Sequence, residues 1–469
     1  MAQRCVCLLA LAATLLLVFP TVSRSMGLKS KEHQRASRIP SQFSKEERVA
    51  MKEALKGAIQ IPTVTFSSEK SNTTALAEFG KYIHKVFPTV VSTSFIQHEV
   101  VEEYSHLFTI QGSDPSLQPY LLMAHFDVVP APEEGWEVPP FSALERDGVI
   151  YGRGTLDDKN SVMVVNVLFL HISFPVPFES VLFQENLSHP HPISPDNRQL
   201  NVSDTLSSGT GAQKISALLQ SRGVQLAFIV DKGGFILDDF IPNFKKPIAL
   251  IAVSEKGSMN LMLQVNMTSG HSSAPPKETS IGILAAAISR LEQTPMPIIF
   301  GSGTVVTVLR QVANEMNVIP PVAQATVNFR IHPEQTVQEV VELTKNIVAD
   351  NRVQFHVLSA FDPLPISPYD DKALGYQLLR QTVQSVFPEV NITVPVTSVG
   401  NTDSRFFTNL TTGIYRFYPI YIQPEDFKRI HGVNEKISVQ AYETQVKFIF
   451  ELIQNADTDQ EPVSHLHKL

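Results

Sequence analysis

Three uninterrupted apolar runs, "YLLMAHFDVV", "QLAFIVD" and "KPIALIAVS", constrain the fold more than any other feature of the chain. A strand with one face in water alternates apolar and polar residues, whereas a strand covered on both faces is apolar throughout. Such runs need helices above and below the sheet they join. The chain supplies them: "GAQKISALLQSRG" reads as a helix stopped by glycine, and Ser44 with Glu47 forms a capping box ahead of "RVAMKEALKGAI".

From Gly257 the pattern changes. "SMNLMLQVNMT" and "VAQATVNFRIHP" alternate, and each is followed by a helical segment, "SIGILAAAISRLEQ" and "TVQEVVELTKNIVAD". Half-buried strands with two helices predict a small two-layer α/β domain inserted into a larger α/β one. The expected organisation is a leader over 1–25, a first part of the large domain over 26–256, the insert over 257–360, the second part over 361–456 and a polar, disordered tail over 457–469.

The 469 residues are 43% hydrophobic and 18% charged, with a formal net charge of -8. The acidity excludes a nucleic-acid partner, since no basic stripe is available for phosphates. Arg4, the apolar run Cys5 to Phe19 and the small-residue segment "TVSRS" have the layout of a secretory signal, with a membrane anchor as the alternative. No later segment reaches the roughly 18 apolar residues of a membrane span. Both cysteines, Cys5 and Cys7, lie inside that leader, so the mature chain has no thiolate for catalysis, metal binding or disulfides. Sequons at Asn72, Asn186, Asn201, Asn266, Asn391 and Asn409 suit a secreted, N-glycosylated protein.

Polar residues at the ends of the apolar runs carry the chemistry. His125 and Asp127 are two apart at the end of a strand, a spacing that puts both on one face. One ring nitrogen of His125 can then meet a metal while Asp127 orients the ring; the alternative is a surface histidine and a turn-forming aspartate before Pro130. In "YGRGTLDDKNS", glycines allow close backbone approach and a carboxylate, Asp157 or Asp158, can bridge two cations. "FIVDKGG" ends a buried strand in Asp231, "RIHGVNEK" supplies His431 and "GHSSAPP" supplies His271. Two histidines and two carboxylates in this order could hold a pair of zinc ions.

"LLMAHFDVVP", "YGRGTLDDK", "GHSSAPP", "NVIPPVAQATVNFR", "GNTDSRFF" and "HGVNEK" together resemble the signature blocks of a di-zinc hydrolase family that includes aminoacylase, glutamate carboxypeptidase and succinyl-diaminopimelate desuccinylase. The resemblance runs from about residue 45 to 455. It implies a mixed-sheet α/β zinc-hydrolase catalytic domain with an inserted dimerisation (lid) domain, working as a homodimer with two Zn2+ per subunit. His125 and His431 would be ligands of the first zinc, Asp231 of the second, and Asp157 the bridge, with Asp127 orienting His125. His271 would stabilise an oxyanion in a partner subunit, and Asn317 and Arg330 would lie near the substrate. The implied reaction is zinc-dependent hydrolysis or synthesis of the amide bond of small N-(fatty)acyl amino acids.

The chain departs from the family in three places. The family writes Glu-Glu, the general base and a zinc ligand, ahead of a turn like "SSGTGAQ"; here Thr205 and Leu206 stand there. Pro175, Pro177, Pro190, Pro192 and Pro195 make the preceding segment unlike an α/β unit, a loop where a strand is expected. Asp204, Glu185, His189 and His191 are the nearest substitutes. Lys232 replaces the glutamate of the family's Asp-Glu-Gly, and "QVANE" joins "MNVIPP" where secreted relatives carry a long extra segment. The expectation is a secreted zinc amidohydrolase by descent with impaired catalysis. The alternatives are an active enzyme with a substitute base, a non-catalytic binder of lipidated amino acids, and a metal-dependent dipeptidase or carboxypeptidase.

Overall fold

The computed structural model describes residues 41–459 apart from 68–69, 89–91, 111–116, 172–180, 187–209, 241–245, 269, 272–275, 295–305, 313–317, 320 and 399. The leader, Asn317, and the segment holding His189, His191, Asp204, Thr205 and Leu206 lie outside the described residues. Two compact units emerge, one spanning Ser254–Pro365 and the other built from the flanking segments.

The larger unit begins with α1 (Lys45–Gln60), α2 (Thr73–Val86), β1 (Ile96–Val101), β2 (Ser105–Ile110), β3 (Tyr120–His125) and α3 (Lys159–His171). It continues through β4 (Val181–Asn186), α4 (Thr210–Ser221), β5 (Ile229–Leu237) and β6 (Ile248–Glu255). The inserted unit holds β7 (Gly257–Asn266), β8 (Gly270–His271), α5 (Ser280–Gln293), β9 (Val306–Val312), β10 (Val318–Ile319), β11 (Val322–Ile331), α6 (Val337–Val348) and β12 (Val353–Phe361). The chain then completes the larger unit with α7 (Leu374–Val386), β13 (Ile392–Ser398), β14 (Ile414–Ile422) and α8 (Val439–Asp459). Helix α8 runs through Asp459, past the predicted start of the tail at Asp457.

The large sheet has the order β13-β6-β14-β5-β3-β4-β2-β1. Its centre, β14, β5, β3 and β4, is parallel, and the strands on either side are antiparallel. The apolar run at β3 now has its physical reason. Tyr120, Leu122 and Ala124 enter the core built with α1, α3 and α8, whereas Leu121 and Met123 enter a second core with Ala212, Ile215 and Leu219 of α4. Ser44 and Glu47 cap α1 reciprocally, and Gly223, at φ +69, ends the turn after α4 as only a residue without a side chain does easily. Among the described residues, no helix is long and apolar enough to cross a membrane.

Two sequence expectations need correction. The proline-rich segment does contain a strand: β4 lies between β3 and β2, with Asn186 in register with His125. The six residues "VLFQEN" contain no proline, and Val, Leu and Phe favour a buried strand, so the flanking prolines bound it without breaking it. Nor does β5 end at Asp231; it continues to Leu237. Its pairing with β14 slips between Arg416 and Phe417, so that Gly234 follows Asp231 in the ladder and Lys232 and Gly233 are skipped. A Cβ at Gly234 would stand 1.9 Å from the Leu250 carbonyl oxygen, so glycine is what lets the strand pass.

The inserted unit is an antiparallel sheet in the order β9-β11-β7-β12 with α5 and α6 packed on its buried face. β7 and β11 bury every second residue, as their alternation predicts.

At one edge of the large sheet, His98 of β1 and His106 of β2 stack, with ring centroids 5.1 Å apart. Burial, aided by His84, pushes His98 down to about 4; burial, aided by His98 and His84, pushes His106 down to about 3. Both folded values lie below the ordinary histidine value of about 6.5, so the unfolded chain binds more protons between that value and about 4. Their stabilisation is therefore complete above about pH 6.5 and is lost as the pH falls. Lowering the pH from 7 to 5 should cost about 2 kcal/mol through His106, and less through half-buried His98. Urea unfolding at the two pH values measures this. His106→Gln should remove the ring's own share, so that the pH 7-to-5 change in stability differs between the native chain and the variant by about 2 kcal/mol, and identical changes in the two would mean the ring is not the cause.

Candidate active site

Asp157 is the centre of the site, and the backbone around it is fixed by one buried side chain. Glu435 accepts hydrogen bonds from the backbone N–H groups of Gly154 (3.0 Å), Leu156 (2.7 Å) and Asp157 (3.1 Å) and pairs with Arg153 at 2.6 Å. Arg153 in turn donates to the carbonyls of His431 (3.3 Å) and Gly432 (2.8 Å). One ion pair thus ties the acidic loop before α3 to the turn that carries His431. Behind them, Lys159 donates to the carbonyls of Ala58 (3.0 Å) and Ile61, closing the C-terminal end of α1.

The two histidines approach Asp157 on different oxygens. His125 Nε2 lies 3.0 Å from Oδ1, and His431 Nε2 lies 2.7 Å from Oδ2. On the other side of the His125 ring, Nδ1 is 3.1 Å from the Asp127 carbonyl and 3.4 Å from its carboxylate. Both Asp127 oxygens therefore face the edge of the ring that turns away from Asp157.

Lys232 reaches into this centre. Its ammonium contacts both His125 Nε2 and Asp157 Oδ1. Burial works against that charge, but Asp157 and Asp158, with Asp231 behind them, outweigh it and hold the lysine above its ordinary value. The cation sits between an imidazole nitrogen and a carboxylate oxygen, the kind of donor pair that a metal ion would use. The sequence left open whether Lys232 would face the site; it does.

Three further carboxyl groups crowd the site. Asp231 accepts from the backbone N–H of Lys232 at 2.8 Å and of Ser404 at 3.2 Å. Asp158 is fully buried, and burial pushes it up to about 7 against the pull of His125 and Lys232. Asp403 is also buried and is pushed up to about 7, by burial first and by Asp231 and Asp127 in addition. Neither Asp403 oxygen has a hydrogen-bond partner among the described residues.

The structure thus brings together His125, Asp127, Asp157 and His431, with Asp231 carried by the residue before Lys232. His271 and Arg330 belong to the inserted unit. There, His271 of β8 pairs with Val318 of β10, while Arg330 bonds Asn401, which itself donates to the Lys256 carbonyl at 2.6 Å. Sequence reasoning did not assign Glu435, Asp158 or Asp403 a role. All three stand inside blocks it did recognise, "HGVNEK", "YGRGTLDDK" and "GNTDSRFF".

A mixed sheet presenting His125 and Asp231 from neighbouring central strands, with a bridging aspartate loop and an inserted two-layer unit, is the architecture of a metallopeptidase. Residues 121–172 match Peptidase family M20/M25/M40 and residues 253–356 match the Peptidase dimerisation domain; the chain belongs to this family. It is 80% identical over 518 residues to the N-fatty-acyl-amino acid synthase/hydrolase PM20D1 of Homo sapiens and 62% identical to that of Bos taurus, with each chain covered in full. Human carnosine dipeptidase 1 shares the fold at 15% identity and a TM-score of 0.59, over 88% of this chain and 97% of that one. The M20 metallo-carboxypeptidase Sso-CP2 of Sulfolobus solfataricus does so at 15% and 0.60, over 88% and 100%.

The family is metal-dependent, and the residues here fit its metals poorly. The His125–Asp157 Oδ1 position already holds an ammonium, and bringing a dication there requires expelling it against three carboxylates. On the other side of Asp157, His431 Nε2 stands against Oδ2 at 2.7 Å. Replacing Lys232 by glutamate should open the first position and raise the zinc retained per chain by about one ion. Elemental analysis after dialysis against zinc measures it, and equal zinc in both proteins would show that Lys232 yields its place freely.

Proposed function

We propose that the chain is a secreted, N-glycosylated enzyme of the N-fatty-acyl-amino acid synthase/hydrolase group, acting as a homodimer on the amide bond of N-acyl amino acids. In this form its turnover falls far below that of its relatives. Full-length identity of 80% to the human enzyme supports the substrate class, and the matched dimerisation domain supports the dimer. The observation that carries the loss of turnover is the Lys232 ammonium between His125 and Asp157.

In this reading the two histidines serve different cation positions, one on each side of Asp157, because they meet opposite carboxylate oxygens. That replaces the arrangement implied by the resemblance, in which both served the first zinc. Two zinc ions per subunit are the family's complement, and this chain holds fewer. Arg330, half-buried and held by Asn401, clamps the substrate carboxylate, and Asn317 is a further substrate residue. His271 serves the oxyanion of a partner subunit. Thr205 and Leu206 supply no general base, since neither side chain takes up a proton near neutral pH.

Loss of a general base alone costs about 10²–10⁴ in rate. The expected kcat/KM for a long-chain N-acyl amino acid is therefore at least about 10²-fold below that of the human relative under the same zinc-replete conditions. Comparable turnover would overturn the impairment. Calorimetry with the same ligand separates the remaining outcomes: binding without turnover would make the chain a binder of lipidated amino acids, and no binding would overturn the substrate class.

A further inference from the structure

His84, His98 and His106 form a cluster that the proposed activity does not use. They come from three elements: the last turn of α2, β1 and β2. One nitrogen of each lies within 4.8 Å of the others, and His98 Nε2 is 2.8 Å from His106 Nδ1. His84 stands edge-on to His98, with ring centroids 4.9 Å apart. We propose that these three imidazoles are a second metal site, selective for a zinc-like divalent cation and independent of Asp157.

The donor chemistry supports it. Zinc takes imidazole nitrogens at about 2.0–2.1 Å in tetrahedral geometry, which places neighbouring nitrogens about 3.3 Å apart. The nitrogens here lie within 4.8 Å of one another, close enough for ring rotations to bring the three onto one ion. Imidazole clusters without carboxylate or thiolate suit zinc, copper or nickel, and not calcium or magnesium. A three-histidine set leaves a fourth position for water.

The surroundings are built around the rings. His106 is buried and lies against Gly80 of α2, where a Cβ would come within 3.1 Å of the ring. The absence of a side chain at that one helix position makes the room that His106 fills. Phe108 stacks on His98 at 4.4 Å between centroids and walls the cluster on one side. The buried, half-buried and exposed positions of His106, His98 and His84 form a graded path, with His84 as the entrance. A bound ion would fasten α2 to the β1–β2 edge of the sheet.

Zinc titration of the purified full-length chain by calorimetry, with thermal unfolding in parallel, tests the site. His84→Ala is the informative variant, because the residue is exposed and its loss leaves the core intact. The native chain should bind zinc with a rise in Tm, and His84→Ala should weaken that binding at least about tenfold and abolish the rise. His125→Ala, which alters only the Asp157 centre, should keep both. Identical zinc isotherms for the native chain and His84→Ala would overturn the proposal, as would loss of the Tm rise in His125→Ala alone. Absence of zinc binding by the native chain would also overturn it. His98→Gln supplies a second reading of the same site, expected to follow His84→Ala.

Discussion

A buried glutamate organises the centre of this protein. Glu435 takes three backbone N–H groups and the Arg153 guanidinium, and so sets the conformation of the loop that presents Asp157. An unpaired carboxylate at such depth would be expensive, but this one is surrounded by donors, and its charge is met by an arginine that also holds the His431 turn. The two loops cannot move independently. The short distance from Asp157 to His431 follows from that coupling, while the backbone N–H of His125 donates to Asp158 at 3.4 Å and ties β3 to the same loop.

With the loop fixed, charge balance decides what the site can hold. Asp127, Asp157, Asp158, Asp231 and Asp403 are all buried within one small region. Burial pushes Asp158 and Asp403 toward neutrality, and the neighbouring carboxylates add to it. In a metal-dependent family the cation comes from solution. Here Lys232 carries one on a four-carbon stem, placed by the register slip that lets β5 run on past Asp231. A glutamate at that position would add negative charge and call for metal; lysine reverses the sign and satisfies the carboxylates from within the chain.

Much of this was legible in the sequence, for reasons that particular residues make plain. The apolar run at β3 required two covered faces because successive side chains enter different cores, and the alternating β7 and β11 required only one. The proximity of His125, Asp157 and His431 was legible because each stands in a short block, His125 at the end of an apolar run and Asp157 and His431 beside glycines. β4 was hidden because prolines on both sides masked a six-residue strand whose stability comes from its neighbours. The continuation of β5 was hidden because Lys-Gly-Gly reads as a turn, and only the cross-strand pairing with β14 shows a slip. Glu435 and Asp403 were invisible as partners, since their importance lies in contacts with residues far away in the chain.

The same physical logic explains how the fold can persist while its chemistry changes. Where a metal neutralises buried acids, folding and metal binding are coupled, and losing the ligands destabilises the acids as well as the reaction. An internal ammonium uncouples them. The hydrophobic clusters pack against the two faces of the large sheet, with Tyr120, Leu122 and Ala124 of β3 in one and Leu121 and Met123 in the other. Lys232 thus brings a positive charge from within the chain to Asp157, Asp158 and Asp231, in a fold that keeps the M20 architecture.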